Sequence, residues 1–213
     1  MQDNNNSNLP PGDYRAQYQN YNYVPDNMEL RVGFGRRLGA MLIDAMILAI
    51  ILLVVFSVSG FLKEYAEFSE KLMSLMDSGN EAYMGAYLAK FTDEHFISFL
   101  FIPLMLLLYN SLEVLIAATP GKLLLDMRIA GAGRKKADTV SLVKRFAFKN
   151  SGQILSLLSY VALAGLFDTL SSLAGLVILI GCFFVLGAKR QAFHDMLAKT
   201  AVYRKYDVLE ESN

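Results

Sequence analysis

The sequence is poor in the residues on which most enzyme chemistry depends. It has one cysteine, two histidines and no tryptophan in 213 residues. The lone cysteine, Cys182, excludes a disulfide within the chain. Two histidines and scattered acids do not supply the ligand spacing of a metal site, so no metal is assigned. No serine or cysteine stands beside a histidine in a nucleophile motif, which argues against a hydrolase and leaves no catalytic residue to name. An excess of one charge is also missing: 20 basic residues balance 20 acidic ones, which gives no case for nucleic acid as a partner. TPGK at 119–122 resembles a piece of a phosphate loop, but Ile116 and Leu123 stand where that motif needs glycine and Ser or Thr. The turn implies no nucleotide, and no cofactor is expected.

What the chain has instead is long apolar runs. Hydrophobic residues make up 54% of it, above the range of an ordinary soluble domain. Residues 38–62 contain Asp44 as their only charge, and residues 96–118 only Glu113. About 20 apolar residues cross the hydrocarbon core as a helix, so both are spanning segments by length. A third region, 153–188, carries only Asp168 and divides near Phe167-Asp168-Thr169.

Charge assigns the sides, because basic residues of short loops stay cytoplasmic. Segment 63–94 holds three lysines against seven acids and reads as an outer loop; segment 119–150 holds eight basic residues and reads as an inner loop. Lys189, Arg190, Lys199, Arg204 and Lys205 place the C-terminal side inside as well. The third region must then cross twice, as spans 153–167 and 170–188 with Asp168 at the outer turn. The expected fold is all-α, a polytopic bundle of four spans with both termini cytoplasmic. Residues 31–205 form the membrane domain, with a short C-terminal tail at 206–213. Residues 1–30, rich in Asn, Gln, Tyr and Pro, are too polar to fold alone and read as a disordered tail. Without a basic n-region and apolar h-region in that tail, the first span is expected to act as the insertion signal.

The polar groups inside these runs carry whatever chemistry the chain has. Arg37 and Asp44 are two helical turns apart and share a stripe about 10 Å long. A carboxylate at the bilayer centre costs about 2.5–3.5 kcal/mol, so Asp44 needs a proton, a cation or another partner. Glu113 sits about two turns inside the cytoplasmic end of its span, at a depth like that of Asp44, and shares a helix face with Tyr109. Thr119, Gly121 and Lys122 form an inner-face turn beyond it. Residues 138–149 fit a helix on the membrane surface, with Arg145 facing either lipid or an inward carboxylate. His194 and Asp195 are adjacent and on a helix point about 100° apart, so they are not a dyad. Gly35 and Gly39 form a GxxxG suited to close approach within the chain.

Taken in order, Arg37-Leu-Gly-Ala-Met-Leu-Ile-Asp44, Tyr109 with Glu113, Thr119-Pro-Gly-Lys122, Lys144-Arg145 and Arg190-Gln-Ala-Phe-His-Asp195 with Lys199-Thr200-Ala-Val202 resemble the signatures of the RDD family over about 31–203. The resemblance assigns the family's arginine to Arg37 and its two aspartates to Asp44 and Asp195. It implies a multi-pass prokaryotic membrane protein, of a family in which transport, including sodium/proton exchange, has been proposed for some members. Asp126 departs from the pattern, which has a small residue there, usually glycine.

Two functions of different class follow as expectations. In the first, Arg37, Asp44, Asp195, Glu113 and Arg145 form an intramembrane cluster in which a proton exchanges for a monovalent cation, in a homo-oligomer at the inner (plasma) membrane. In the second, the same cluster is structural and the protein is a non-catalytic accessory or lipid-interacting one, touching the bilayer and its anionic inner-face lipids.

Overall fold

The computed structural model describes residues 28–160 and 164–209. The expected disordered tail lies outside the described residues except for Met28–Leu30, a 3-10 turn. The last residues of the C-terminal tail, 210–213, also fall outside them.

Helix α1 runs from Phe34 to Val58, about 37 Å at 1.5 Å per residue. Only Ala40 on it is buried, while Met41, Met46, Ile50, Leu53 and Val58 face outward. An apolar helix with so little of itself covered belongs in lipid. Beyond Gly60, which turns the chain at φ 82°, α2 (Phe61–Ser78) and α3 (Glu81–Glu94) form a helical hairpin closed by Gly79 at φ 66°. Its seam is Phe61, Phe68 and Phe91, and the Phe68 and Phe91 rings stack at 3.9 Å. The segment read as a loop at 63–94 is therefore helical. Phe61, Phe68 and Leu75, seven apart, already repeat at a helical interval within its acidic background.

Helix α4 (Phe96–Ile116) ends in Ala117 at φ 55°, and α5 (Pro120–Leu124) starts with proline at its first position. Strand β1 (Met127–Gly131) and helix α6 (Thr139–Lys149, capped by the Asp138 carboxylate on the Ser141 N–H) complete the basic segment. Helices α7 (Ser151–Ser159) and α8 (Ala164–Cys182) follow, then a 3-10 turn at Phe183–Leu186, α9 (Phe193–Leu197) and β2 (Thr200–Arg204). The strands pair antiparallel, Met127 opposite Arg204 and Gly131 opposite Thr200. The all-α expectation holds with this short ribbon added, which brings the C-terminal segment onto the basic one.

Among the described residues three helices are long and apolar enough to cross a membrane: Phe34–Val58, Phe96–Ile116 and Gly165–Leu186. The expected span 153–167 is corrected. Its helix, α7, has nine residues, about 14 Å, too short to cross. Asp168 lies within α8 rather than at a turn. Polar residues did not stop that helix because they bond back into it: Thr169 Oγ1 donates to the Gly165 carbonyl and Ser172 Oγ to that of Asp168. Helix α7 lies against α8, where Ser171 Oγ reaches the Gly152 carbonyl at 2.9 Å.

The core sits where α1 meets the ribbon and α6, around Val32, Ala40, Met127, Ile129, Leu142 and Val202. Asp126, just before β1, has φ 51°. That left-handed conformation is what favours glycine at this position, and aspartate tolerates it better than most side chains.

Candidate functional site

Five elements bring charged side chains to one buried place. Asp195, in the first turn of α9, is wholly buried, Glu113 is 1% exposed and Arg145 3%. Arg145, on α6, is the bridge between them: its Nε donates to Asp195 Oδ1 at 2.8 Å and its Nη1 to Glu113. Arg37, in the first turns of α1, donates from Nη1 to the other Asp195 oxygen at 2.5 Å. Its remaining nitrogens hold the Val32 carbonyl at 3.0 Å and the Arg190 carbonyl at 2.9 Å. Glu113, on α4, also pairs with Lys122 of α5 and with Lys149 Nζ at 2.8 Å. Lys149 donates further to Asn110 Oδ1, and the Asn110 amide to Asn150. Through these groups α1, α9, α6, α4 and α5 are tied into one network.

Buried charges are costly unless paired and hydrogen-bonded, and here each acid meets at least two fixed cations. Burial pushes the Asp195 carboxyl up, but Arg145 and Arg37 outweigh it and hold it far below the usual carboxylate range. Burial pulls Lys122 down to about 8, against the attraction of Glu113. Arg145 goes the other way, since its two acids more than offset the cost of burial.

Asp44 stands apart from the network. It accepts hydrogen bonds from Tyr109 OH at 2.6 Å, Thr119 Oγ1 at 2.6 Å and the Gly121 N–H at 2.7 Å. All three donors are neutral, so the expected encounter with Arg37 is corrected. Helix side chains lean toward the N-terminus, which carries the Arg37 head away from Asp44 and toward Asp195. Tyr109 likewise spends its hydroxyl on Asp44 and not on Glu113. Asp44 is reached by Gly121 because that glycine packs on α1: a Cβ there would lie 2.3 Å from the Ala40 carbonyl oxygen. Gly39 is in looser contact, 3.4 Å from a Leu125 methyl, and Gly35 meets nothing.

Of the groups expected at the inner face, Lys122 turns to Glu113 and Arg145 takes the inward alternative with both acids. Arg31 escaped notice in the sequence although it is buried and donates to Gln191 Oε1 at 2.8 Å and to the Lys189 carbonyl at 2.7 Å. One sign of it was its place just before the first apolar run, beside Arg36 and Arg37.

His194 is the network's neutral member. Its Nε2 lies 3.3 Å from Arg145 Nη2, which can only donate, so the ring proton is assigned to Nδ1. That buried Nδ1 has no hydrogen-bond partner among the described residues. Burial pulls the imidazole down to about 3, outweighing the pull of Asp195. The unfolded ring, with an ordinary value near 6.5, takes up a proton across that interval and the folded one does not. Stability therefore rises with pH from about 3 to 6.5 on account of this group and is lost on acidification. Thermal unfolding in detergent at several pH values tests this: His194→Gln should flatten the slope between about pH 4.5 and 6.5, and an unchanged slope would count against a buried neutral ring.

A cavity of about 410 Å³ opens beside the network. Arg37, Asp44, Tyr109 and Lys149 stand at its polar end, and Met41, Leu48, Leu179 and Phe183 along its apolar walls. Among the described residues no group of three or more His, Cys, Asp or Glu is placed to hold a metal ion.

The model of the RDD family matches residues 31–199, most of the chain. No curated protein and no solved structure matches it.

Proposed function

The chain belongs to the RDD family, and from that premise, with three helices among the described residues long and apolar enough to cross a membrane, we propose that it is a non-catalytic accessory or lipid-interacting protein. We place it in a prokaryotic inner membrane, with the basic ribbon side in the cytoplasm, and we read its ion network as a structural lock. The observation that carries this reading is the saturation of the network's acids. Asp195 holds Arg37 and Arg145, and Glu113 holds Arg145, Lys122 and Lys149. A carboxylate that exchanges a proton for a passing cation needs an empty coordination place, and fixed cations fill those of both acids.

Proton- or cation-coupled transport narrows to Asp44, which has no fixed countercharge among the described residues and lines the cavity. Asp44→Asn in purified protein separates the two readings. An asparagine keeps one acceptor oxygen but turns an NH2 toward the donor or donors on the other, and it gives up the charge, so the lock reading expects a stability loss of about 1.5–3 kcal/mol. It also expects no proton or sodium flux above empty liposomes from either form. Flux in the unmutated protein that vanishes in Asp44→Asn would establish transport instead.

A further inference from the structure

The cavity beside the network has two unlike ends. Its walls are apolar, and it lies in a gap between α1 and α8, which approach each other mainly at the 3-10 turn of Phe183–Leu186. In a bilayer such a gap at the end of a spanning helix is reached from the lipid. Its polar end is cationic: Arg37, Lys122, Arg145 and Lys149 line it, against one acid, Asp44. Asp44 is already turned to three neutral donors, and Glu113 and Asp195 lie behind the cations rather than on the lining.

Donors remain to be used at that end. An ammonium group has three N–H bonds, and Lys149 commits two, to Asn110 and Glu113. Its side chain is 25% exposed. Arg37 has five N–H bonds and makes three hydrogen bonds, with its side chain 13% exposed. An apolar occupant would leave these donors facing hydrocarbon, which disfavours a plain acyl chain or an apolar helix.

From this juxtaposition we infer that the cavity is a binding site for an anionic phospholipid, whose phosphate meets Lys149 and Arg37 while an acyl chain lies along the wall past Ala45 and Leu48 toward Leu179. The volume is that of a small-molecule pocket and suits the head-proximal part of one lipid. This rests on the lock reading, because the cations serve a ligand only if Glu113 and Asp195 hold them in place.

The test uses the full chain purified in a neutral detergent, with lipid retention read by native mass spectrometry. Phosphatidylglycerol and phosphatidylcholine of identical chains are the probes, with palmitate as a third. Both lipids carry a phosphate, but choline offsets its charge in phosphatidylcholine, and each cation at a net-anionic headgroup contributes about a fivefold preference. With Lys149 and Arg37 both at the headgroup, phosphatidylglycerol should be retained about 25-fold over phosphatidylcholine, and Lys149→Gln should lower that preference about fivefold. Glu113 keeps Lys122 and Arg145 in that variant, so the fold has its supports. Ala45→Phe, which fills the apolar wall and leaves every charge, should reduce retention of both phospholipids. Equal retention of the two lipids would overturn the proposal. So would a preference untouched by either variant, which would mark surface arginines such as Arg36, or palmitate held as well as phosphatidylglycerol, or a dimer that excludes lipid. Flux in the liposome assay would overturn the lock reading by a separate readout, whereas absent flux with no lipid preference would remove the lipid site alone.

Discussion

Arg145→Met is expected to cost about 3–5 kcal/mol of unfolding free energy, the range for breaking a buried charge pair by removing one partner. The change takes a counter-ion from Glu113 and from Asp195 at once, and neither acid can reach water. It also removes the donor that His194 Nε2 accepts from. The neighbouring Lys144 is exposed and supplies the control, since surface substitutions stay within about 0.5 kcal/mol. Equilibrium unfolding in mixed micelles measures both. A loss for Arg145→Met no larger than for Lys144→Ala would mean that the network does not hold the fold.

Gly121→Ala should be comparably severe, about 3 kcal/mol or more. The new Cβ would stand 2.3 Å from the Ala40 carbonyl and 2.8 Å from the Asp44 carboxyl carbon. The nearer obstacle is backbone of α1 and cannot rotate away, so α5 must withdraw. Overpacking alone costs about 1–3 kcal/mol. Withdrawal also loses the Gly121 N–H bond to the Asp44 carboxylate, worth about 1.5–3 kcal/mol as a bond to a charged group. Gly39→Ala, whose Cβ meets only the end of the Leu125 side chain, is the mild comparison. Thermal unfolding of the two variants should separate them clearly, and equal midpoints would contradict the close packing of α5 on α1.

The residues that matter were largely visible in the sequence, because a charge within an apolar run is conspicuous whatever the fold. Arg37, Glu113, Arg145 and Asp195 meet in one network, and Asp44 sits beside it on the same cavity. Their pairing was not visible. Helical spacing reports neighbours on one helix, such as Arg37 with Asp44 or Tyr109 with Glu113, whereas the contacts made join Arg37 to Asp195 and Tyr109 to Asp44. Those partners are set by how α1, α4 and α9 pack.

The same limit explains the architecture. Long apolar runs marked α1, α4 and α8. The short α7 was masked by unbroken hydrophobicity on both sides of Tyr160, while Asp168, the obvious place for a turn, sits in a helix whose Thr and Ser side chains bond to their own backbone. Each ribbon strand has only five residues, and its partner lies some 70 positions away, too far for any local pattern to announce. Asp126 is the counterexample. The family pattern called for glycine there, and the backbone is indeed left-handed.

The lock depends most directly on the energetic coupling of Glu113 to Arg145. Glu113→Gln, Arg145→Met and the double variant, unfolded under one set of conditions, form a cycle that isolates it. A structural ion network predicts that the double variant loses less than the sum of the singles, by about 1–3 kcal/mol, since each single change strands a buried charge that the double change removes. Losses that add to within about 0.5 kcal/mol would show that the two side chains do not depend on each other, contrary to the fold's being held at this pair.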